Sequence, residues 1–178
     1  MTERIIIAGA GGQGIMLLGK VLAEAALKED KFVTWLPSYG AEVRGGSAYC
    51  MVVISDREIG SPYVQKADTL FIMNEPSLER FKNRLVDKGL LIVNSSLANL
   101  KHIDKKAEVQ GYPFTDIAVK LGNIRVANMV ALGLFLAHKK ILQIKNVTRV
   151  IEEITPADKK NLVEINQEAL LKGVSLEK

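Results

Sequence analysis

The chain has 178 residues and a mass of 19.5 kDa, enough for one domain with a real core and short for two. Hydrophobic residues make up 48% and charged residues 25%, which excludes disorder, collagen and coiled coil. Cys50, the single cysteine, excludes an internal disulfide and any cysteine-held cluster or zinc supplied by this chain alone. The net charge of +4 comes from a mild basic excess after residue 100, without the dense basic stripe and interleaved aromatics of a nucleic-acid reader.

Residues 4–8, Arg-Ile-Ile-Ile-Ala, read as a strand that ends in Gly9-Ala10-Gly11-Gly12-Gln13-Gly14. Over residues 15–28 the apolar positions Leu18, Val21, Leu22 and Ala25 recur at spacings of three and four, which predicts an amphipathic helix packed on a sheet. Residues 32–36 give a second strand, so the first 36 residues read as the opening unit of a parallel, doubly wound sheet. Residues 37–46 carry three glycines and no apolar period, which predicts a loop at the carboxyl end of that strand, where α/β sheets place ligands. Residues 47–55 form a strand and Asp56-Arg57 a turn, leading into 58–64 as the second arm of an antiparallel excursion. A helix over 77–87 separates strands at 69–73 and 90–93, and a further strand lies near 107–112. Beyond it the patterns at 115–121, 124–138, 146–154 and 158–172 are helical. The fold class is therefore α/β: a Rossmann-like, mainly parallel, doubly wound sheet with helices on both faces and a C-terminal helical segment, all in one domain, 1–178. The apolar stretch 126–137 contains Asn128 and is too short to span a bilayer. No signal-peptide pattern opens the chain, so a cytoplasmic location without membrane attachment is expected.

Gly9, Gly11 and Gly14 fit G-x-G-x-x-G between a strand and a helix. The first glycine permits the turn, the second lets backbone approach a phosphate, and the third brings helix and strand together, with helix N–H groups facing any anion. Two uses are open, a tight turn that packs strand on helix or a phosphate or carboxylate site. A complete nicotinamide site would also need an acid at the end of the second strand for the ribose, and Leu36-Pro37 stands there.

Taken together, Gly9 to Gly14, Pro37-Ser38-Tyr39-Gly40-Ala41-Glu42-Val43-Arg44-Gly45-Gly46, Ser55-Asp56, Ala67-Asp68, Asn94-Ser95-Ser96 and Asn128-Met129-Val130-Ala131-Leu132-Gly133 resemble, in order and spacing, the gamma subunit of the 2-oxoacid:ferredoxin oxidoreductases. The match runs across nearly the whole chain. Thr34-Trp35-Leu36-Pro37-Ser38-Tyr39-Gly40 is more similar to the 2-oxoglutarate and branched-chain (2-ketoisovalerate) enzymes than to the pyruvate enzymes. The resemblance implies a subunit of an enzyme of anaerobic metabolism that converts a 2-oxoacid, coenzyme A and oxidised ferredoxin into acyl-coenzyme A, CO2 and reduced ferredoxin. Thiamine diphosphate with Mg2+ is then held by alpha and beta subunits, iron–sulfur clusters by other chains such as a ferredoxin-like delta subunit, and homodimer contacts are possible. This chain is expected to hold no cofactor or metal alone, to carry no catalytic residue, to be inactive in isolation and to support the coenzyme A side of the site. A stand-alone nucleotide-binding regulatory module and a free nicotinamide or flavin oxidoreductase are the rival readings.

Candidates for ligand or interface contact are Gly9, Gly11, Gly12, Gln13, Gly14, Tyr39, Arg44, Gly45 and Asn128. Arg44 could present its guanidinium to a phosphate or carboxylate, or pair with Glu42 or a partner subunit. Tyr39 could stack on an adenine or anchor the loop. Gln13 could donate to a ligand or hold the loop opposite Tyr39. Asn128, within an apolar helix, needs a partner, for which a neighbouring strand end is expected. Gly133 on that helix marks close packing. Asn94-Ser95-Ser96 is read as a cap for the next segment, Cys50 as a small buried apolar side chain, and His102, His138, Lys139-Lys140 and Lys159-Lys160 as solvated.

Overall fold

Residues Thr2–Ala10 form β1, which is buried on both faces: Ile5 and Ile7 enter one hydrophobic core while Ile6 and Ala8 enter another. A strand covered on both sides needs a nearly continuous apolar run, and the sequence supplies it. The computed structural model describes residues 1–38, 47–103 and 106–177. After β1 come α1 (Ile15–Leu27), β2 (Phe32–Ser38), β3 (Ser47–Ser55), β4 (Ala67–Ile72), α2 (Glu75–Phe81) and β5 (Leu85–Asn94). They are followed by β6 (Glu108–Tyr112), α3 (Phe114–Lys120), α4 (Ala127–Lys139), α5 (Ile144–Ile154) and α6 (Asn161–Val174). The sheet order is β2-β3-β1-β4-β5-β6, with β1, β4, β5 and β6 mutually parallel and β3 antiparallel to both its neighbours. The α/β class with helices on both sides of the sheet and at the C-terminus is as expected. None of the helices among the described residues is long and apolar enough to cross a membrane.

Three local expectations fail. The first α/β unit does not place β2 beside β1, because β3 inserts between them and makes the sheet mixed. Burial explains the order: Cys50 to Ser55 are all buried and suit an interior position, whereas β2 leaves Phe32, Trp35 and Leu36 substantially exposed and contains Pro37, which suits an edge. Residues 58–64 are not a strand; Val64 instead buries its side chain in the second core and donates its N–H to Met51 Sδ at 3.3 Å. The helix read over 77–87 stops at Phe81, passes through a 3-10 turn (Lys82–Arg84), and gives way to β5. Leu78, Phe81 and Leu85 keep helical spacing, but Leu85 pairs with Ala67 of β4 instead of closing another turn.

The first face of the sheet carries α1 and α3 to α6, and the second carries α2 with Val64 and Ala98. Helix α4 is buried from Ala127 to Leu136 because α6 crosses it on the outside. At the crossing, a Cβ on Gly133 would overlap the Leu170 carbonyl, and one on Gly173 would overlap the Val130 carbonyl. The close packing expected of Gly133 is therefore reciprocal and backbone to backbone. Two expectations of solvation are overturned beside it. His138 is 15% exposed and held between Glu108 (3.1 Å) and Glu177 (2.9 Å), while Lys139 lies 3.5 Å from the buried carboxylate of Glu3. The apolar wrapping of α4 draws its C-terminal turn inward, where these side chains find acids on β1, β6 and the chain end. Lys159 and Lys160 are exposed, as read. The His102 side chain lies outside the described residues.

Candidate functional site

The parallel strands β1, β4 and β5 end together, and the chain leaves β1 toward α1 on one face of the sheet and β4 toward α2 on the other. Such a divergence opens a crevice at the carboxyl ends of the strands. The glycine loop occupies it. Gly9 ends the buried run, and a Cβ there would sit 2.5 Å from Gln13 Oε1, 2.8 Å from Ile15 Cδ1 and 2.9 Å from Met73 Cβ, so the loop can fold back only over a glycine. Gly12 (φ 92°) and Gly14 (φ 71°) are left-handed, and Gly12 faces open space. Gly14 is the N-cap of α1, which has no side-chain cap and no acid in its first turn. The exposed Gly11–Gly12 backbone and this helix end are chemically suited to an anion.

The side chains around the loop are spent on holding it. Gln13 Oε1 accepts from the Ala10 N–H at 2.6 Å and its Nε2 donates to the Met73 carbonyl at 3.0 Å, fastening the loop to the ends of β1 and β4. Of the two uses read for Gln13, loop fixation is the one realised, with Ala10 and Met73 as partners. Asn128 is 1% exposed; its Nδ2 donates to the Gly14 carbonyl at 3.0 Å and its Oδ1 accepts from the Met129 N–H at 2.9 Å. Its partner is thus the cap of α1, not a strand end. A side chain on Gly14 would collide with this amide, so Gly14 and Asn128 are matched across 114 residues.

Asn94 extends the network. It is fully buried, donates to Thr115 Oγ1 at 2.8 Å and to the Met73 carbonyl at 3.5 Å, and accepts from the Thr115 N–H at 3.3 Å, while Ser96 Oγ accepts from the Asp116 N–H at 3.3 Å. The capping use read for this segment is realised on α3, about 20 residues later, through donors of its first turn. Asn74, which the sequence reading passed over, caps α2 by accepting from the Ser77 N–H at 3.1 Å. Arg80 was passed over too. Its Nη1 donates to Ser47 Oγ at 3.1 Å, and its guanidinium lies 4.8 Å above the Tyr49 ring; Ser47 pairs with Ala10, so a cation stands at the mouth of the crevice. The only sequence signal for Arg80 is its place on the helix after β4.

Tyr39, Arg44 and Gly45 lie outside the described residues. Their flanks bound the crevice, since Ser38 pairs with Tyr49 at the end of β2 and Ser47 with Ala10 beside the glycine loop. No acid stands at Leu36, Pro37 or Ser38 to take a ribose, which leaves the nicotinamide reading without its anchor.

Cys50 is fully buried beneath α1, where Gly19 leaves room for its sulfur and for Trp35, and its Sγ lies 3.6 Å from the Ile15 carbonyl. Burial pushes its thiol up to about 12, against a smaller lowering by Trp35. With so little thiolate near neutrality, native protein at pH 8 should react with iodoacetamide at least about 100-fold more slowly than protein in guanidinium. Equal labelling in the two conditions, read by mass spectrometry, would contradict this placement.

The chain matches the family model described as pyruvate ferredoxin/flavodoxin oxidoreductase over residues 4–176. It is 37% identical over 170 residues to the ketoisovalerate oxidoreductase subunit VorA of Methanothermobacter thermautotrophicus, a match that covers 96% of this chain and 35% of that protein. The chain thus spans about a third of that relative's length. It is 34% identical over 184 residues to the 2-oxoglutarate synthase subunit KorC of the same organism, covering 97% of each. Among solved structures, the gamma subunit of a keto/oxoacid ferredoxin oxidoreductase from Geobacter sulfurreducens superposes with a TM-score of 0.82 at 28% identity, over 97% of this chain and 96% of that one.

Proposed function

The chain belongs to the pyruvate ferredoxin/flavodoxin oxidoreductase family, and from that premise we propose that it is the gamma component of a 2-oxoacid:ferredoxin oxidoreductase. The observation that carries the reading is the end-to-end match to a gamma-sized relative, 97% of each chain, together with a fold that matches a gamma subunit over nearly its full length. The whole enzyme decarboxylates a 2-oxoacid oxidatively, transfers the acyl group to coenzyme A and passes the electrons to ferredoxin. The relatives named for ketoisovalerate and 2-oxoglutarate favour a branched-chain 2-oxoacid or 2-oxoglutarate as the substrate.

Within that enzyme the chain's own part is structural. Thiamine diphosphate with Mg2+ is assigned to the alpha and beta partners and the iron–sulfur clusters to other chains, because a single, fully buried Cys50 cannot ligate a cluster here. Gln13, Asn94 and Asn128 are engaged in bonds that shape the crevice. What remains for a ligand or a partner is the Gly11–Gly12 backbone, the open end of α1, and the loop of Tyr39, Arg44 and Gly45, offered to the coenzyme A side of the assembled site. A protein of the cytoplasm fits this role.

Anaerobic native capture of the chain from its own cells tests the reading. Larger thiamine-binding and cluster-bearing chains should co-purify with 2-oxoacid-dependent viologen reduction that requires coenzyme A. A chain that emerges alone and binds a dinucleotide in a calorimeter would replace this reading with a stand-alone nucleotide-binding module.

A further inference from the structure

We propose that a cavity at the amino ends of β4, β5 and β6 binds a small organic anion, a carboxylate or phosphate ester carrying a short hydrocarbon chain. The cavity lies at the opposite end of the sheet from the glycine loop, and the proposal does not depend on the chain's assembly with thiamine-binding partners. Its origin is topological. The β1-to-β2 and β4-to-β5 connections each carry an α-helix, but the connection from β5 to β6 holds, among its described residues, only a 3-10 turn, Leu100–His102. The second core therefore lacks a covering helix there, and a cavity of about 510 Å3 remains. Small-molecule sites commonly enclose roughly 300–1,000 Å3.

The wall has two chemistries. Leu91, only 1% exposed, and the partly buried Ile103 and Ala107 belong to the second core and give an apolar floor. Lys66, Lys82 and Lys106 stand around it, against one lining carboxylate, Asp87. Lys66 Nζ donates to the Asn83 carbonyl at 2.8 Å, which uses one of its three hydrogens. Lys82 pairs with Glu79 at 2.7 Å one helical turn away, and Lys106 with Asp87 at 3.6 Å, where the two side chains are 67% and 82% exposed. Exposed pairs of this kind contribute little, so an incoming anion can displace them at small cost. An occupant that satisfies both surfaces must carry a negative head for the lysines and an apolar body for the floor; inorganic phosphate satisfies only the first and an alcohol only the second.

Octanoate, octyl phosphate, octanol and inorganic phosphate, titrated into the full chain and followed by methyl NMR and calorimetry, test the proposal. Octanoate or octyl phosphate should bind saturably with shifts at Leu91 and Ile103, at least tenfold more tightly than octanol or phosphate, and the tighter of the two identifies the preferred head group. The Lys66→Gln/Lys82→Gln protein should keep its fold, by circular dichroism, and lose at least tenfold in affinity. Ile103→Asp, which adds a like charge at the wall without touching the lysines, should abolish binding. Octanol binding as tightly as octanoate, undiminished affinity in both variants, or saturation without shifts at Leu91 and Ile103 would each overturn it.

Discussion

Gly133→Ala is expected to destabilise the chain by about 3 kcal/mol, toward the upper end of ordinary overpacking, and to lower Tm by roughly 6–12 °C. Alanine is the better helix former by about 1 kcal/mol, so propensity alone predicts the opposite sign. Packing decides, because the added methyl would overlap the Leu170 carbonyl, a backbone atom fixed in α6, and no rotamer can relieve the overlap. Helix α4 would have to withdraw from α6 along the whole crossing, breaking contact for Val130 and Leu134 as well as Gly133. Gly173→Ala should do the same from the other side, against the Val130 carbonyl, and the double variant should cost less than the sum of the two, since one separation accommodates both methyls. Gly60→Ala, with nothing within 4 Å of the added carbon, is the control and should be nearly neutral. Thermal and urea unfolding of the four proteins measures this. A Gly133→Ala protein as stable as its parent would mean that the helices do not cross at backbone contact.

Both glycines stand in apolar helical patterns, yet the sequence distinguishes them only partly. Gly133 signals close approach because it lies inside an otherwise apolar helix, but nothing local says that its partner is Gly173, since the pairing is set by how two helices cross. The same limit recurs across the molecule. The β1–α1 unit was legible to the residue at the helix start, because a buried strand, left-handed glycines and a 3.6-residue period all agree locally. The place of β3 between β2 and β1 was not, because sheet order is a contest of burial between strands, decided by Cys50–Ser55 being more apolar than a strand interrupted by Pro37. Residues 82–88 misled because Leu78, Phe81 and Leu85 carry a helical period while the last of them is claimed by a strand partner. At the site, the glycine loop could be seen but its fastening could not: Gln13, Asn94 and Asn128 converge from positions 13, 94 and 128, and only the fold reveals that the ends of three strands and the cap of α1 meet there.

That convergence makes Asn128→Asp the more informative test of the site. The change preserves shape and removes one property, the Nδ2 donor that meets the Gly14 carbonyl at 3.0 Å. Rotating the side chain cannot help, since the other oxygen already accepts from the Met129 N–H, and an ionised carboxylate would place charge against a carbonyl oxygen at a position 1% exposed. A buried, uncompensated polar group costs about 1–3 kcal/mol, and more when charged, so a loss of about 3–4 kcal/mol at pH 7 is expected. The sign with pH follows from linkage. The introduced carboxyl's folded pKa is raised above its unfolded value, so the unfolded state ionises first and the penalty grows as pH rises through the usual carboxylate range toward the folded pKa. The variant should therefore lie closest to its parent at pH 4 and fall progressively behind it toward pH 7. Once protonated, the introduced carboxyl can donate its O–H to the Gly14 carbonyl, which restores the native bond at the acid end. Asn128→Ala lacks that rescue and should show a pH-independent loss. Urea midpoints of the three proteins at pH 4, 5, 6 and 7 separate the cases: a parallel pH profile for Asn128→Asp and its parent would show that the amide does not hold the cap of α1, and with it the glycine loop would lose its fastening to α4.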